Sequence, residues 1–282
     1  MNSQQFPTGI GIGWRPELAL SIERHNRLGF VEIVAENFSR GAEIPPAVNH
    51  LRDRGVPIIP HGVSLSLGGA AVPDPARLEH LARLSELVRA PLISEHLAFV
   101  RAGGIEAGHL LPLPRTREAL DVVVENILLA KRALPVPLAL ENIATLFQWP
   151  DAEIDEATFL QEVLQRTDTL LLLDISNVYA NARNHGNDPL EFLDRIPLDR
   201  IAYMHIAGGI ERDGLYHDSH AHPVQPAVLN LLEELCARID PHGVLLERDD
   251  DYPSDRELQA ELEAIEGAIR RGQKRREVLH VP

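Results

Sequence analysis

The sequence predicts a (β/α)8 TIM barrel, a closed ring of eight parallel strands surrounded by helices. Eight short apolar runs alternate with longer amphipathic segments along the chain. The short runs are apolar at consecutive positions, as in parallel strands that helices cover. The chain has 282 residues, and such barrels form one domain of about 250 residues. We therefore expect a single domain over 1–282, with a core from about 9 to 269 and a basic C-terminal tail.

The predicted elements alternate regularly from the N-terminus onward. Strands are expected at 9–13, 30–34, 56–59, 91–94, 137–140, 170–173, 201–204 and 244–246. A first helix begins at Pro16, because proline suits the first helical turn. Further helices are predicted at 75–89, 116–134, 157–166, 189–195, 226–239 and 255–269, where apolar residues recur at helical spacing. The stretch from Ala207 to Pro223 has no such pattern and is predicted to be a long functional loop.

The composition argues against several classes of protein. Lys and Arg total 27 and Asp and Glu total 42, so the formal net charge is −15. A nucleic-acid binder needs clustered basic residues, and the only basic run, 270–276, is expected to be a solvated helix end. The single cysteine, Cys236, excludes an internal disulfide. No membrane span or signal peptide is apparent. We therefore expect a cytoplasmic enzyme that binds neither nucleic acid nor membrane.

Imidazole and carboxylate side chains follow six consecutive predicted strands, at the point where each strand ends. They are His61, His96, Glu141, Asp174, His205 and Glu247. In a barrel, the carboxyl ends of all strands meet at one rim, where active sites lie. The long predicted loop adds Asp218 and His220, which would share one face of an extended segment. We expect these eight side chains to converge.

Burial of these carboxylates requires compensation. A carboxylate at the end of a buried strand costs several kcal/mol unless it is paired. A donor set of imidazoles and carboxylates without thiolates suits Zn, Fe, Mn or Co. Four carboxylates carry −4, which two divalent ions would cancel, and eight ligands exceed the usual four to six of one ion. The sequence therefore predicts at least two metal ions with a bridging carboxylate, and room for a third.

Several motifs occur in an order that is typical of one family. They are His61-Gly62-Val63-Ser64, Ser94-Glu95-His96, Glu141-Asn142, Asp174-Ile175-Ser176-Asn177, Asn184-His185-Gly186, His205-Ile206-Ala207-Gly208, Asp218-Ser219-His220 and Glu247-Arg248-Asp249. In this order, they resemble the multinuclear non-heme iron-dependent oxidase family, from Gly9 to about Ile269. That family resembles a branch of the xylose-isomerase-like barrels, which include the trinuclear zinc endonuclease IV type.

The resemblance implies a set of metal ligands and a cofactor. Two or three iron ions, in a mixed ferrous and ferric state, would bind to the eight residues named above, with O2 as co-substrate. Glu141, His205 and Glu247 would be the catalytic residues. Asn177 would be a ninth ligand, at the place where the endonuclease branch has a histidine, and His185 is a second-rank candidate. Glu95 and Asn142 are expected to orient neighbouring ligands.

The resemblance also implies an activity, which is oxidation of a residue in a ribosomally synthesised precursor peptide of natural-product biosynthesis. The residue is usually cysteine, with Asp and Asn as other candidates, and a separate partner protein often recognises the leader peptide. An endonuclease IV-like zinc hydrolase is an alternative, but the net charge and Asn177 count against it. A sugar isomerase or epimerase would need a catalytic Lys or Glu pair, and no strand end carries Lys. A metal-storing or peptide-binding scaffold is the non-enzymatic alternative.

Overall fold

Eight parallel strands close into a barrel in the computed structural model, which describes residues 6–41 and 43–279. The strands are β1 (Gly9–Gly13), β2 (Phe30–Val34), β3 (Ile58–Gly62), β4 (Ile93–His96), β5 (Phe99–Ala102), β6 (Ile105–Leu111), β7 (Leu138–Glu141), β8 (Leu170–Asp174), β9 (Ile201–Ile206), β10 (Gly208–Arg212), β11 (Leu215–His222) and β12 (Gly243–Leu246). The ring order is β1-β12-β9-β8-β7-β4-β3-β2. The predicted fold class is confirmed.

Helices connect the barrel strands on the outside. They are α1 (Ala19–Arg24), α2 (Pro46–Asp53), α3 (Pro75–Val88), α4 (Arg117–Ala133), α5 (Glu156–Thr167), α6 (Ile175–His185), α7 (Pro189–Arg195), α8 (Pro226–Cys236) and α9 (Asp255–Leu279). Short 3-10 turns cover Pro16–Leu18, Ala35–Asn37 and Leu198–Arg200. In the described residues, no helix is both long enough and apolar enough to span a membrane.

Three features of the helices differ from the sequence prediction. The helices α2 and α6 were not predicted. Helix α6 follows β8 without a loop, because the Asp174 carboxylate caps it by accepting a hydrogen bond from the Asn177 amide. The predicted basic tail is part of α9, which continues to Leu279. There, Arg271 and Arg275 pair with glutamates of α8, so the basic run packs against a neighbouring helix.

The prediction of a long loop from Ala207 to Pro223 is wrong. This stretch forms an antiparallel hairpin of β10 and β11, and β5 and β6 form a second hairpin. Two-residue turns connect the strands, Gly103-Gly104 in one hairpin and Asp213-Gly214 in the other. All four turn residues have positive φ, which is the requirement of the type I′ turn that favours Gly-Gly and Asp-Gly. The hairpins project beyond the carboxyl ends of β4 and β9.

The inside of the barrel has two layers that follow the two-residue alternation of the strands. The lower layer is an apolar floor of Phe30, Ile59, Leu92, Ala139, Leu172, Tyr203 and Leu245, all buried. Two residues further along the same seven strands, the upper layer contains Glu32, His61, Ser94, Glu141, Asp174, His205 and Glu247. The polar side chains therefore stand on an apolar floor that closes the barrel from below.

Glycine in β1 makes room for the aromatic ring of Phe30 in the floor. Gly11 lies opposite Phe30 in the sheet, and a Cβ at Gly11 would stand 2.6 Å from the Phe30 ring. Gly11→Ala should therefore lower the free energy of unfolding by about 1–3 kcal/mol, because the buried ring has to move. Urea unfolding followed by circular dichroism measures the change.

The matched control is Gly267→Ala in α9, where the new methyl group would meet only the end of the flexible Arg271 side chain. This control should keep or raise the free energy of unfolding by up to about 1 kcal/mol, since alanine suits a helix interior better than glycine. Equal urea midpoints for Gly11→Ala and the unmodified protein would contradict the packing argument.

Candidate metal centre

The eight predicted ligand residues converge at the carboxyl end of the barrel in three connected groups. Within each group, one potential ligand atom per residue lies within 4.8 Å of the others. The first group is His61, His96 and Glu141, the second is Glu141, Asp174, His205 and Glu247, and the third is Asp174, Asp218 and His220. Glu141 belongs to the first and second groups, and Asp174 to the second and third. The two shared carboxylates therefore join all three groups.

The two oxygens of Glu141 face different groups. Its Oε2 lies 3.5 Å from His61 Nε2 and 3.4 Å from His96 Nε2. Its Oε1 lies 3.6 Å from His205 Nδ1. These separations exceed the usual N–H···O distance of about 2.9 Å. They are close to the roughly 3.0–3.5 Å between two ligands of one ion when each ligand lies about 2.0–2.2 Å from the metal. Glu141 therefore faces two ligand groups and could supply one oxygen to each.

Several buried polar atoms at this site have no hydrogen-bond partner. They are Glu141 Oε2, Asp174 Oδ2, Asn177 Oδ1, His205 Nδ1 and Asp218 Oδ1. A buried polar atom without a partner costs about 1–3 kcal/mol, and a bound ion is one of the few ways to satisfy it. In the described part of the chain, the ion pairs of the four ligand carboxylates involve histidines and neither lysine nor arginine. The donor set therefore fits metal ions.

Each of the four histidines has a partner for its second ring nitrogen. His61 Nδ1 lies 2.9 Å from Ser94 Oγ, His96 Nδ1 lies 3.2 Å from the Gly62 carbonyl, His205 Nε2 lies 2.9 Å from Glu32 Oε2, and His220 Nδ1 lies 2.9 Å from Asp249 Oδ2. Such partners are typical of metal-binding histidines, because they orient the ring and fix its tautomer. This arrangement leaves one ring nitrogen of each histidine for the site.

The roles of Glu32, Ser94 and Asp249 were missed in the sequence. A signal for Glu32 exists, because it is a charged residue in the middle of the apolar run Phe30–Val34. Asp249 also binds Arg15, whose Nε donates to Asp249 Oδ1 at 2.8 Å. The buried Arg15 therefore lies behind His220 without touching a ligand carboxylate.

Glu95 and Asn142, which we expected to orient ligands, hold the backbone. The Glu95 carboxylate accepts hydrogen bonds from the His96 and Leu65 amides, at 2.9 and 3.0 Å. It stays 3.8 Å from the His96 ring nitrogen. The Asn142 side chain donates to the Asp174 carbonyl at 3.0 Å and accepts from the Asp174 amide at 2.9 Å. Asn142 therefore fixes the position of Asp174.

The two weaker candidates from the sequence have different surroundings. Asn177 donates its side-chain amide to the Asn142 carbonyl at 2.9 Å, and its Oδ1 is buried without a partner. A role of Asn177 as a metal ligand stays a prediction. His185, the last residue of α6, lies outside the three groups, and its Nε2 is 2.7 Å from Thr145 Oγ1. The structure does not bring His185 to the centre.

An irregularity in the hairpin brings Asp218 and His220 to the centre. The strand register shifts between Gly208, opposite His222, and Ile210, opposite His217, so that β11 contains extra residues. His220 lies within this bulge with φ of 52°, in the left-handed region. Its Nε2 is 2.6 Å from Asp218 Oδ2. The pair meets as expected, but through a bulge and a positive φ rather than the regular alternation of an extended segment.

Burial and mutual repulsion shift the pKa values of the site residues. Burial raises the pKa of Asp174 well above its ordinary value, and the neighbouring Asp218 and Glu141 add to the increase. Burial opposes charge on His205 and His220, but the nearby carboxylates raise the pKa of both well above the ordinary value. The pKa of His96 rises to about 9 because Glu141 and Glu95 outweigh its burial. Without metal, this site therefore holds protons at neutral pH.

The fold and the site together define a class of protein, an α/β barrel with a candidate multinuclear metal centre at its catalytic end. Residues 9–270 match the family model described as "RiPP precursor modification enzyme MbnB/TglH/ChrH", in which RiPP stands for ribosomally synthesised and post-translationally modified peptide. The chain belongs to this family, and the resemblance noted in the sequence is confirmed.

Curated relatives carry the name UPF0276 protein. One from Streptomyces avermitilis is 53% identical over 264 residues, which are 91% of this chain and 54% of the relative. One from Caulobacter vibrioides is 39% identical over 269 residues, which are 93% of this chain and 94% of the relative. The chain thus spans about half the length of the Streptomyces relative and nearly all of the Caulobacter relative.

Solved structures of similar fold include sugar epimerases. An L-ribulose 3-epimerase has a TM-score of 0.62 at 14% identity, over 97% of this chain and 99% of that one. A D-psicose 3-epimerase from Clostridium cellulolyticum H10 has a TM-score of 0.60 at 12% identity, over 92% and 99%. At these identities the likeness concerns the fold alone, and it supports the TIM-barrel fold.

The shared position of Glu141 leads to a prediction for metal content. Glu141→Ala should lose about two ions per chain, because Glu141 belongs to two groups, each with few other ligands. His220→Ala should affect the third group only. Elemental analysis after anaerobic loading with ferrous iron and desalting measures the metal-to-protein ratio. Glu211→Ala, at an exposed hairpin position, is the control and should keep the full ratio. Full metal content in Glu141→Ala would contradict the bridging position.

Metal binding should release protons, because the raised pKa values of His96, His205 and His220 keep these rings protonated at neutral pH. Protons compete with the metal at these nitrogens. The apparent affinity for Zn²⁺ should therefore weaken as the pH falls from about 9. Calorimetric titration in two buffers of different ionisation enthalpy measures the released protons. Binding heats that do not depend on the buffer would refute this expectation.

Proposed function

We propose that this chain is a multinuclear non-heme iron oxidase that uses O2 to modify a residue, most consistently cysteine, of a ribosomally synthesised precursor peptide. The observation that carries the proposal is the sharing of Glu141 and Asp174 among three ligand groups. Shared carboxylates hold metal ions next to one another, as a multinuclear centre requires. Membership of a family of precursor-modifying enzymes supports the peptide as the class of substrate.

The donor set supports iron and leaves room for a sulfur ligand from the substrate. Imidazole and carboxylate ligands with open positions suit non-heme iron. The chain's single cysteine, Cys236, is buried in α8, and burial raises the pKa of its thiol to about 12. It is therefore not a competing thiolate. A cysteine of the peptide would supply the thiolate that the centre lacks.

The chain's own residues would hold, orient and shield the reacting groups. When bound, the ions would supply one-electron oxidation and the activation of O2. Glu141, His205 and Glu247, which are buried, would hold adjacent ions above the apolar floor, and the floor would keep water from reaching them from below. His220, His96 and Asp218 are the more exposed members, with 17%, 11% and 10% of their side chains accessible. The substrate residue would therefore enter from their side.

The proposal includes a partner and a location. As the family resemblance implies, we assign recognition of a leader peptide to a separate partner protein where it is needed. A single, buried cysteine is typical of a reducing compartment, and we place the enzyme in the cytoplasm.

The test is an assay with anaerobically iron-loaded protein and the short peptides encoded beside its gene, with O2 consumption and peptide mass as readouts. We expect O2 uptake and a change in peptide mass that both require iron and peptide together. Glu247→Ala should reduce the rate at least about 100-fold, whereas the exposed Glu211→Ala should not. Protein loaded with Zn²⁺ is the control without redox chemistry and should leave the peptide unchanged.

The same preparation distinguishes the alternatives from the sequence. Cleavage of abasic DNA by zinc-loaded protein without O2 would replace the proposal with a hydrolase. Epimerisation or isomerisation of a ketose without O2 would replace it with a sugar enzyme. Tight iron binding with no reaction on any encoded peptide, with or without the neighbouring partner protein, would favour a metal-storing or peptide-binding scaffold.

A further inference from the structure

A chain of buried hydrogen bonds runs beneath the candidate metal centre and connects two of its histidines. His61 Nδ1 lies 2.9 Å from Ser94 Oγ, and Ser94 Oγ lies 2.7 Å from the Tyr203 hydroxyl. The Tyr203 hydroxyl donates to Glu32 Oε2, which also lies 2.9 Å from His205 Nε2. All five side chains are buried. The chain thus connects the first ligand group with the second.

The number of available hydrogen atoms fixes which group donates and which group accepts in each hydrogen bond of this network. Ionised Glu32 can only accept hydrogen bonds, so His205 Nε2 and the Tyr203 hydroxyl both donate to it. The single hydrogen of Tyr203 is then used, and its oxygen can only accept from Ser94. The single hydrogen of Ser94 is used in turn, and Ser94 Oγ can only accept from His61. His61 Nδ1 must therefore carry the proton.

We propose that Glu32, acting through Tyr203 and Ser94, is one positioning residue for two metal-binding histidines that belong to different ligand groups. It places the proton of His205 on Nε2 and the proton of His61 on Nδ1. With metal bound, the nitrogens without a proton would be His205 Nδ1 and His61 Nε2, and these are the nitrogens that face Glu141. This inference rests on the proposed metal centre and adds to it the control of two ligand tautomers by one carboxylate.

Packing holds the central member of the chain in place. The Tyr203 ring lies edge-on to Phe30 and to His205, with centroid distances of 5.7 and 5.5 Å. It belongs to the apolar floor, so its hydroxyl points up into the polar layer. In the described residues, the hydrogen bonds that connect the Tyr203 hydroxyl with His61 pass through Ser94. An effect of its hydroxyl on His61 would therefore be transmitted by the hydrogen-bond chain.

The variant Tyr203→Phe interrupts this chain while it keeps the ring. In the described residues, Tyr203 and His61 are the side-chain partners of the Ser94 hydroxyl. Without the Tyr203 oxygen, Ser94 should donate to His61 Nδ1, and the imidazole proton should move to Nε2. His205 keeps its bond to Glu32, so its tautomer should not change. The variant should therefore weaken the first ligand group selectively.

The readout is the tautomer of His61 in metal-free protein, from long-range ¹H–¹⁵N NMR correlation. The same spectrum distinguishes a neutral ring from a charged one, so it is recorded at a pH at which the His61 ring is neutral and one nitrogen carries the proton. We expect Nδ1–H in the unmodified protein and Nε2–H in Tyr203→Phe. The variant His61→Asn assigns the signal. An Nδ1–H tautomer in both proteins would overturn the inference.

A second measurement covers metal binding and a possible loss of folding. In Tyr203→Phe, the Zn²⁺ affinity of the first group should fall about 10- to 100-fold, as is typical when the partner of a histidine ligand is altered. Ser94→Ala should lower the affinity as well and yield mixed His61 tautomers, which serves as the test if Tyr203→Phe does not fold. Tyr179→Phe, in α6 and outside the chain of hydrogen bonds, is the matched control and should change neither readout.

The outcomes separate this inference from the proposed function. Unmodified protein that binds no Zn²⁺ would contradict the metal centre, while the metal-free NMR experiment would still decide the tautomer. Unmodified protein that binds metal, together with Tyr203→Phe of equal affinity and equal tautomer, would overturn the role of Glu32 and leave the metal centre intact.

Discussion

The repulsion among buried carboxylates is the constraint on which the rest of this structure depends. Glu141, Asp174, Asp218 and Glu247 meet at the end of a barrel, above an apolar floor that excludes water. Their ion pairs in the described residues are with histidines. Protons can offset part of the charge, because burial and the neighbouring Asp218 and Glu141 raise the pKa of Asp174 well above its ordinary value. Bound multivalent cations would offset the remaining repulsion, which costs several kcal/mol.

Sharing of carboxylates also explains how the centre could combine tight binding with open coordination. Each ligand group offers three or four residues, whereas iron in oxygen- and nitrogen-rich sites accepts about six ligands. Because Glu141 and Asp174 each serve two groups, the negative charge per ion stays low. Positions would therefore remain for the substrate atom and the O2 of the proposed reaction. A set of eight unshared ligands around one ion would leave none, and it would suit a structural site rather than a reactive one.

The parts of this protein that follow regular periods were predictable from the sequence. The two-residue alternation and the barrel rule brought six strand residues to one rim, and the cost of burying their carboxylates pointed to metal.

Glu32 was missed because one carboxylate in an apolar strand has no periodic partner, and its role depends on Tyr203 across the barrel. The hairpin of β10 and β11 was missed because its polar strand, which carries His217, Asp218, His220 and His222, resembles a loop. Its Asp213-Gly214 turn was the available signal. Helix α6 follows β8 without a loop and contains several polar residues. The apolar pattern of the sequence therefore did not mark where this helix begins.

The three ligand groups differ in how firmly the fold holds them. The first two groups lie on barrel strands, and hydrogen-bond partners within the barrel fix their histidines. The third group depends on Asp218 and His220, which lie on a bulged hairpin outside the ring, and His220 adopts a positive φ that costs about 1–3 kcal/mol for a residue other than glycine. In metal-free protein, the charged His220 ring offsets that strain by donating hydrogen bonds from Nδ1 to Asp249 and from Nε2 to Asp218. A hairpin can shift more easily than a closed sheet, so the third ligand group is the least firmly held of the three.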